Sequence, residues 1–165
     1  MAVSRDILQT YRKPRQVMAR LLSMGQREDR LLAILMAGCA LMFVSRMPSI
    51  AREAHLTGQE QNMLMGGALL GIIFIAPLGL YSLAWIIHLI SKILGGKSES
   101  YAARLALFWA FLAASPLMLL NGLVAGMIGP SPGLTLVGAI WTLFFLWFLG
   151  AGLFQAYWAK ESVSA

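Results

Sequence analysis

The run MLMGGALLGIIFIAPLGLYSLAWIIHLISKIL, residues 63–94, holds no Asp, Glu, Lys or Arg before Lys92. Crossing a bilayer takes roughly 20 mainly apolar residues, because each adds about 1.5 Å of helix and the hydrocarbon is about 30 Å thick. Three more stretches are of the same kind: Leu31–Ile50, Tyr101–Met127 and Leu134–Trp158. Lipid offers no partner for a backbone amide, so segments of this type are helices. The predicted fold class is all-α: a polytopic bundle of four transmembrane helices preceded by an N-terminal amphipathic interfacial helix. The division follows as 1–30 for a basic arm, 31–158 for the bundle and 159–165 for a short tail.

Composition agrees. Of 165 residues, 59% are hydrophobic and 12% charged, where a soluble domain carries about a quarter charged residues. Residues 1–30 hold seven Lys/Arg and no continuous apolar run, which excludes a cleavable signal peptide there. Cys39 is the only cysteine and lies inside the first span, so it reads as a small buried apolar residue.

Charge is uneven along the chain. Arg5, Arg12, Lys13, Arg15, Arg20, Arg27 and Arg30 outnumber Asp6, Glu28 and Asp29 in the arm. Next to a span, such a basic patch points to anionic lipid rather than nucleic acid, at roughly 1 kcal/mol per Lys/Arg near the surface. Counted by loop, Lys/Arg run seven, two, three, zero and one along the chain. Cytoplasmic loops are the richer ones, so both termini are expected in the cytoplasm.

Within the arm, Ser4 is expected to cap a helix over Asp6–Lys13, with the acid favourable near the N-terminus. Pro14 stops that run and can start another turn. Beyond it Val17, Met18, Leu21 and Leu22 share a helical face opposite Arg15, Gln16 and Arg20, and Gly25 ends the run. That pattern predicts a helix lying in the membrane interface, with Arg12, Lys13, Arg15 and Arg20 toward lipid headgroups. The alternative is a solvated helix docked under the bundle.

The stretch 63–94 would measure near 48 Å as one straight helix, longer than a bilayer requires. Pro77 is expected to kink it against the carbonyl of Ile73, and Pro116 to kink the next span against Leu112. Arg46, Arg52, Glu53, His55 and Glu60 read as a solvated loop. Gly67 and Gly71 make a small-xxx-small step, and Ala106, Ala110 and Ala114 repeat every four residues. Small residues let helices approach closely. These mark packing within the bundle, or a seam for a second copy or a partner helix. Asn121 and Gln155 are expected to hydrogen-bond across helices.

Candidates for chemistry are few. No HExxH, paired intramembrane carboxylates, phosphate-binding glycine loop or CxxC occurs, and the central thirds of the spans lack ionisable residues, which are costly there. No enzyme, metal or cofactor is expected. Tyr81, Trp85, His88 and Lys92 fall on one helical face. It reads as an interfacial aromatic belt with a snorkelling lysine, or more sharply as a site for a lipid headgroup or partner helix. Tyr157 and Trp158, beside Lys160, read as an interfacial anchor.

A resemblance rests on particular residues: a Lys-Pro-Arg step at 13–15, the run Ile90-Ser91-Lys92-Ile93-Leu94-Gly95-Gly96-Lys97-Ser98, then Ala102-Ala103-Arg104 and Ala114-Ser115-Pro116. These resemble the YIP family of multi-pass membrane proteins, in its bacterial branch, over roughly residues 5–125, after which the likeness fades. The resemblance implies no catalytic residues. Eukaryotic members bind lipid-modified small GTPases and shape vesicle membranes, and typically have five spans against the four expected here. The functional expectation is a non-enzymatic accessory or scaffold subunit that binds another membrane protein, or a second copy, together with anionic lipid. The alternative is a small transporter or channel component, for which only Asn121 and Gln155 offer polarity inside spans.

Overall fold

The computed structural model describes residues 3–96 and 99–159. Lys97 and Ser98 of the glycine turn, Lys160 of the expected anchor, and the rest of the expected tail lie outside the described residues. Every regular element among the described residues is helical. Two short helices open the chain, α1 (Val3–Arg12) and α2 (Pro14–Ser23). The long α3 (Glu28–Thr57) follows, then α4 (Gln61–Leu70), a π turn over Gly71–Ile75 and α5 (Ala76–Ile93). The remainder is α6 (Ser100–Ala113), α7 (Ser115–Met127) and α8 (Pro132–Tyr157).

Three helical runs are long and apolar enough to cross a bilayer: Glu28–Thr57, Gln61–Ile93 and Pro132–Tyr157. The pair α6–α7 qualifies only as one span bent by 46°. The bend has a covalent cause. Pro116 sits in the first turn of α7, where it cannot donate to the carbonyl four residues back and crowds it. At Pro77 the irregularity takes the form of a π turn. The helix does not break there but widens into the π turn just upstream, with the Ala76 amide bonded to the Gly71 carbonyl. Looser i→i+5 bonding of this kind absorbs a local misfit without ending the helix.

Two boundaries also differ from expectation. Helix α1 already runs from Val3, so Ser4 lies inside it and does not cap a helix at Asp6. Helix α3 continues to Thr57, so Arg46, Arg52, Glu53 and His55 are on its last turns rather than in a loop. Those turns continue past the expected end of the span at Ile50. Thr57 and Gly58 end the helix, with Gly58 at φ +69°, a left-handed cap that glycine adopts without a Cβ penalty.

The bundle is built around α6. Leu105, Ala106, Leu107, Phe108 and Ala113 are fully buried or nearly so. Helices α3, α5 and α8 surround α6 on the span side, and the arm adds a further wall. Helix α7, turned by the bend, lies along α3 instead, in the most extensive helix pairing of the chain. There Gly122 and Gly126, one helical turn apart, face the α3 backbone at Ser45 and Pro48. A Cβ on Gly122 would overlap the Ser45 carbonyl oxygen and stand 2.6 Å from its carbon, and one on Gly126 would stand 2.7 Å from the Pro48 carbonyl carbon. Asn121 Nδ2 donates across to the Leu134 carbonyl of α8 at 3.3 Å, in keeping with the expected interhelical bond.

Polar contacts concentrate at one end. Arg104 makes a bidentate pair with Glu28 at 2.9 and 2.7 Å. Arg30 donates to the Leu21 carbonyl at 2.8 Å and to the Tyr101 hydroxyl at 3.3 Å. The Gln26 amide donates to the Glu99 carboxylate. These tie the arm and the start of α3 to the start of α6. Tyr157, at the end of α8, reaches the same end by donating to the Glu99 carbonyl at 3.3 Å. The arm and the end of α8 therefore share one end of the bundle. At the other end, Arg52 donates to the Met127 carbonyl at 3.4 Å.

Candidate functional site

The arm folds into a V with its corner at Lys13–Pro14. Proline suits the first turn of α2 because its missing amide is unpaired there in any helix, and Pro14 occupies that position. The two limbs are clasped by an ion pair between Asp6 and Arg20. Thr10 Oγ1 donates to the Asp6 carbonyl at 2.7 Å and accepts the indole N–H of Trp109 at 3.1 Å. Trp109 lies in α6, so a buried polar link fastens α1 to the core helix.

The apolar face of α2 is where the sequence puts it, but what covers it is different. Val17, Met18 and Leu21 are buried in the apolar cluster that includes Leu105, Ala106 and Phe108. Met18 Cε lies 3.0 Å from a Cβ built on Gly152 of α8. The expected helix with its apolar face in lipid is therefore corrected: that face is spent on α6 and α8. Tyr11 joins the same packing, edge-on to Phe148 at 5.0 Å between centroids. Burial pushes its phenol pKa up.

The polar side of the V remains open. Arg12, Lys13, Arg15 and Gln16 are exposed and Arg20 is half-buried. Among the described residues, Arg20 has an acidic partner, Asp6, and no ion pair involves Arg12, Lys13 or Arg15. Between the limbs is a cleft of about 470 Å³ lined by Gln9, Arg12, Lys13, Gln16, Val17 and Arg20. Around the corner of the V, a second cavity of about 650 Å³ runs between Arg12–Gln16 and α8 at Leu146, Trp147, Gly150, Ala151 and Phe154. Arg15 marks its rim, with its guanidinium 4.5 Å from the Phe154 ring centroid.

The face of Tyr81, Trp85, His88 and Lys92 divides. Tyr81 packs edge-on to Phe108 at 4.9 Å, and His88 Nδ1 is hydrogen-bonded to the Tyr157 hydroxyl. Trp85 and Lys92 are exposed. Two of the four thus hold α5 to α6 and α8, and two are free to meet lipid.

The small residues divide as well. Ala106, Ala110 and Ala114 are buried, with Ala106 against Gly152. Gly67 and Gly71 have nothing within 4 Å of an added Cβ, so no packing among the described residues needs them to be glycine. The close seam is instead Gly122–Gly126. Its four-residue spacing was visible in the sequence; its partner, the α3 backbone, was not. Arg30 and Arg104, which lock the arm connection, have partners 71 and 76 positions away and carry no local signature. Among the described residues, no group of three or more His, Cys, Asp or Glu could hold a metal ion.

A family profile described as the Yip1 domain matches residues 8–163. The match takes in Arg12, Lys13, Arg15 and Arg20 of the arm and all of α8, so the likeness does not fade at 125 as the sequence motifs implied. Comparison with curated proteins and with solved structures finds no match.

Proposed function

Because this chain belongs to the Yip1 domain family, we propose that it is a non-enzymatic accessory or scaffold subunit of a bacterial inner membrane. On this reading it crosses the membrane four times, the bent α6–α7 pair counting as one crossing, with both termini cytoplasmic. It binds another membrane protein or a second copy through its helices, and anionic lipid through its arm.

The observation that carries the reading is the setting of Gln61–Ile93. Only 6% of its most apolar window is buried; among the described residues its packing is chiefly against α3 and α6, with one bond from His88 to Tyr157 of α8. Gly66, Gly67, Gly71 and Gly79 all have open space where a side chain would stand. Glycine within a helix costs roughly 1 kcal/mol against alanine. That cost is offset in membranes when a neighbouring helix uses the close approach. Filling of the bundle centre by apolar side chains of α6 supports the accessory reading over a transport path through one chain.

Gly67→Leu and Gly71→Leu are expected to insert and fold as the parent does, while releasing the co-migrating partner or second copy in mild detergent. A parent chain that migrates alone and moves a solute across liposomes overturns the accessory reading in favour of a transporter.

A further inference from the structure

We propose that the V of the arm and the adjoining face of α8 form a single-molecule site for an anionic glycerophospholipid, its phosphate between α1 and α2 and an acyl chain along Leu146–Phe154. The inference rests on the reading that the arm meets anionic lipid and adds to it a defined pocket with a stoichiometry.

Two cavities of different character share one wall. The 470 Å³ cleft is the more polar of the two and is cationic: Arg12, Lys13 and Arg20 line it, with Gln9 and Gln16 as neutral donors and Val17 as apolar lining. Arginine and lysine are the usual donors to phosphate oxygens, arginine with two N–H groups at once. Asp6 is the only acid in α1 and α2, and Arg20 already holds it. The cleft therefore has a cationic excess with no internal anion.

The 650 Å³ cavity is different on its far side. Trp147, Leu146, Ala151 and Phe154 offer only apolar surface, and Gly150 leaves room, with nothing within 4 Å of its missing Cβ. Arg12 and Lys13 line both spaces. A free phosphate would fill the first cavity and leave the second without a use. A neutral lipid would fill the second and leave the cations unmatched. A molecule with a net negative phosphodiester joined to a hydrocarbon chain matches both. Because the apolar face of α2 is already covered by the bundle, α2 has no apolar face left to insert, so recognition along it falls to this basic edge and groove.

Native mass spectrometry of the full chain in mild detergent, titrated with dioleoyl phosphatidylglycerol or dioleoyl phosphatidylcholine, tests the site. One retained phosphatidylglycerol per chain is expected, with at least ten-fold preference over phosphatidylcholine. Arg12→Gln with Lys13→Gln should weaken retention by about ten-fold or more, since each cation near an anionic surface is worth roughly five-fold. Gly150→Leu fills the groove without changing charge. It should weaken retention about as much, while binding of the full chain to inorganic phosphate is unchanged. If Gly150→Leu retains lipid like the parent but the charge variant does not, the arm meets lipid electrostatically and the defined site is wrong. If inorganic phosphate at equal concentration displaces the lipid, the ligand is phosphate alone. If the parent shows no headgroup preference, both the site and the underlying reading of the arm fail.

Discussion

Gly122 has its Cα against the backbone of Ser45, so close that a methyl group in place of its hydrogen would overlap the Ser45 carbonyl oxygen. The obstacle is backbone, not the tip of a flexible side chain, so α7 and α3 can make room only by moving apart. This seam joins the second half of the bent pair to α3.

Gly122→Ala is therefore expected to destabilise the bundle by about 1–3 kcal/mol, the range for overpacking a filled interior. Gly67→Ala should be neutral or slightly stabilising, because it meets open space and alanine is the better helix former. Thermal melts of the two variants in the same detergent compare them directly. Equal melting temperatures would show that α3 and α7 are not packed this closely.

The link between Trp109 and Thr10 should decide how firmly the arm is held. Thr10→Val keeps the shape but leaves the indole N–H buried without an acceptor, at a cost of about 1–3 kcal/mol. Limited proteolysis within residues 3–23 should speed up, while the spans stay protected. Unchanged cleavage of the arm would mean that apolar packing at Met18 and Leu21 suffices to hold it.

Sidedness follows from the Lys/Arg counts and can be read with single cysteines. Cys39 is fully buried and gives no background. With an impermeant thiol reagent applied outside spheroplasts, a cysteine at Pro130 should label and one at Ser23 should not. Both positions are exposed. The reverse pattern would invert the proposed orientation.

The long apolar runs were legible because bilayer thickness imposes a length on them, and the arm's turn was legible because Pro14 permits little else. The same logic located Pro116 as the bend. Three things were hidden. The response at Pro77 depended on whether the helix could absorb the lost donor upstream, which no local rule decides. The extension of α3 past Ile50 looked like a loop because Arg46, Arg52 and Glu53 are charged, yet a helix leaving the hydrocarbon carries charge at no cost. The fate of the face bearing Val17, Met18 and Leu21 was ambiguous because lipid and protein interior are equally apolar, so its pattern says that it is covered and not by what. The basic residues Arg12, Lys13, Arg15 and Arg20 were readable as charge; the groove beside them depends on where α8 lies, and sequence spacing does not report it.

The π turn at Gly71–Ile75 gives one transmembrane helix two phases. An α-helix advances about 100° per residue, and a π turn fits an additional residue into one turn. Side chains after it are therefore set off in azimuth from those before it. The line through Gly67 does not run on into the line through Tyr81 and His88, although unbroken α-spacing would relate them differently. Below the turn, the helix is keyed by Tyr81 and His88 to Phe108 and Tyr157. Above it, the glycines are free to point elsewhere. Under the proposed accessory role, the offset would let one half of the segment be fixed in its own bundle while the other half faces a neighbour, so that assembly would not disturb the anchorage.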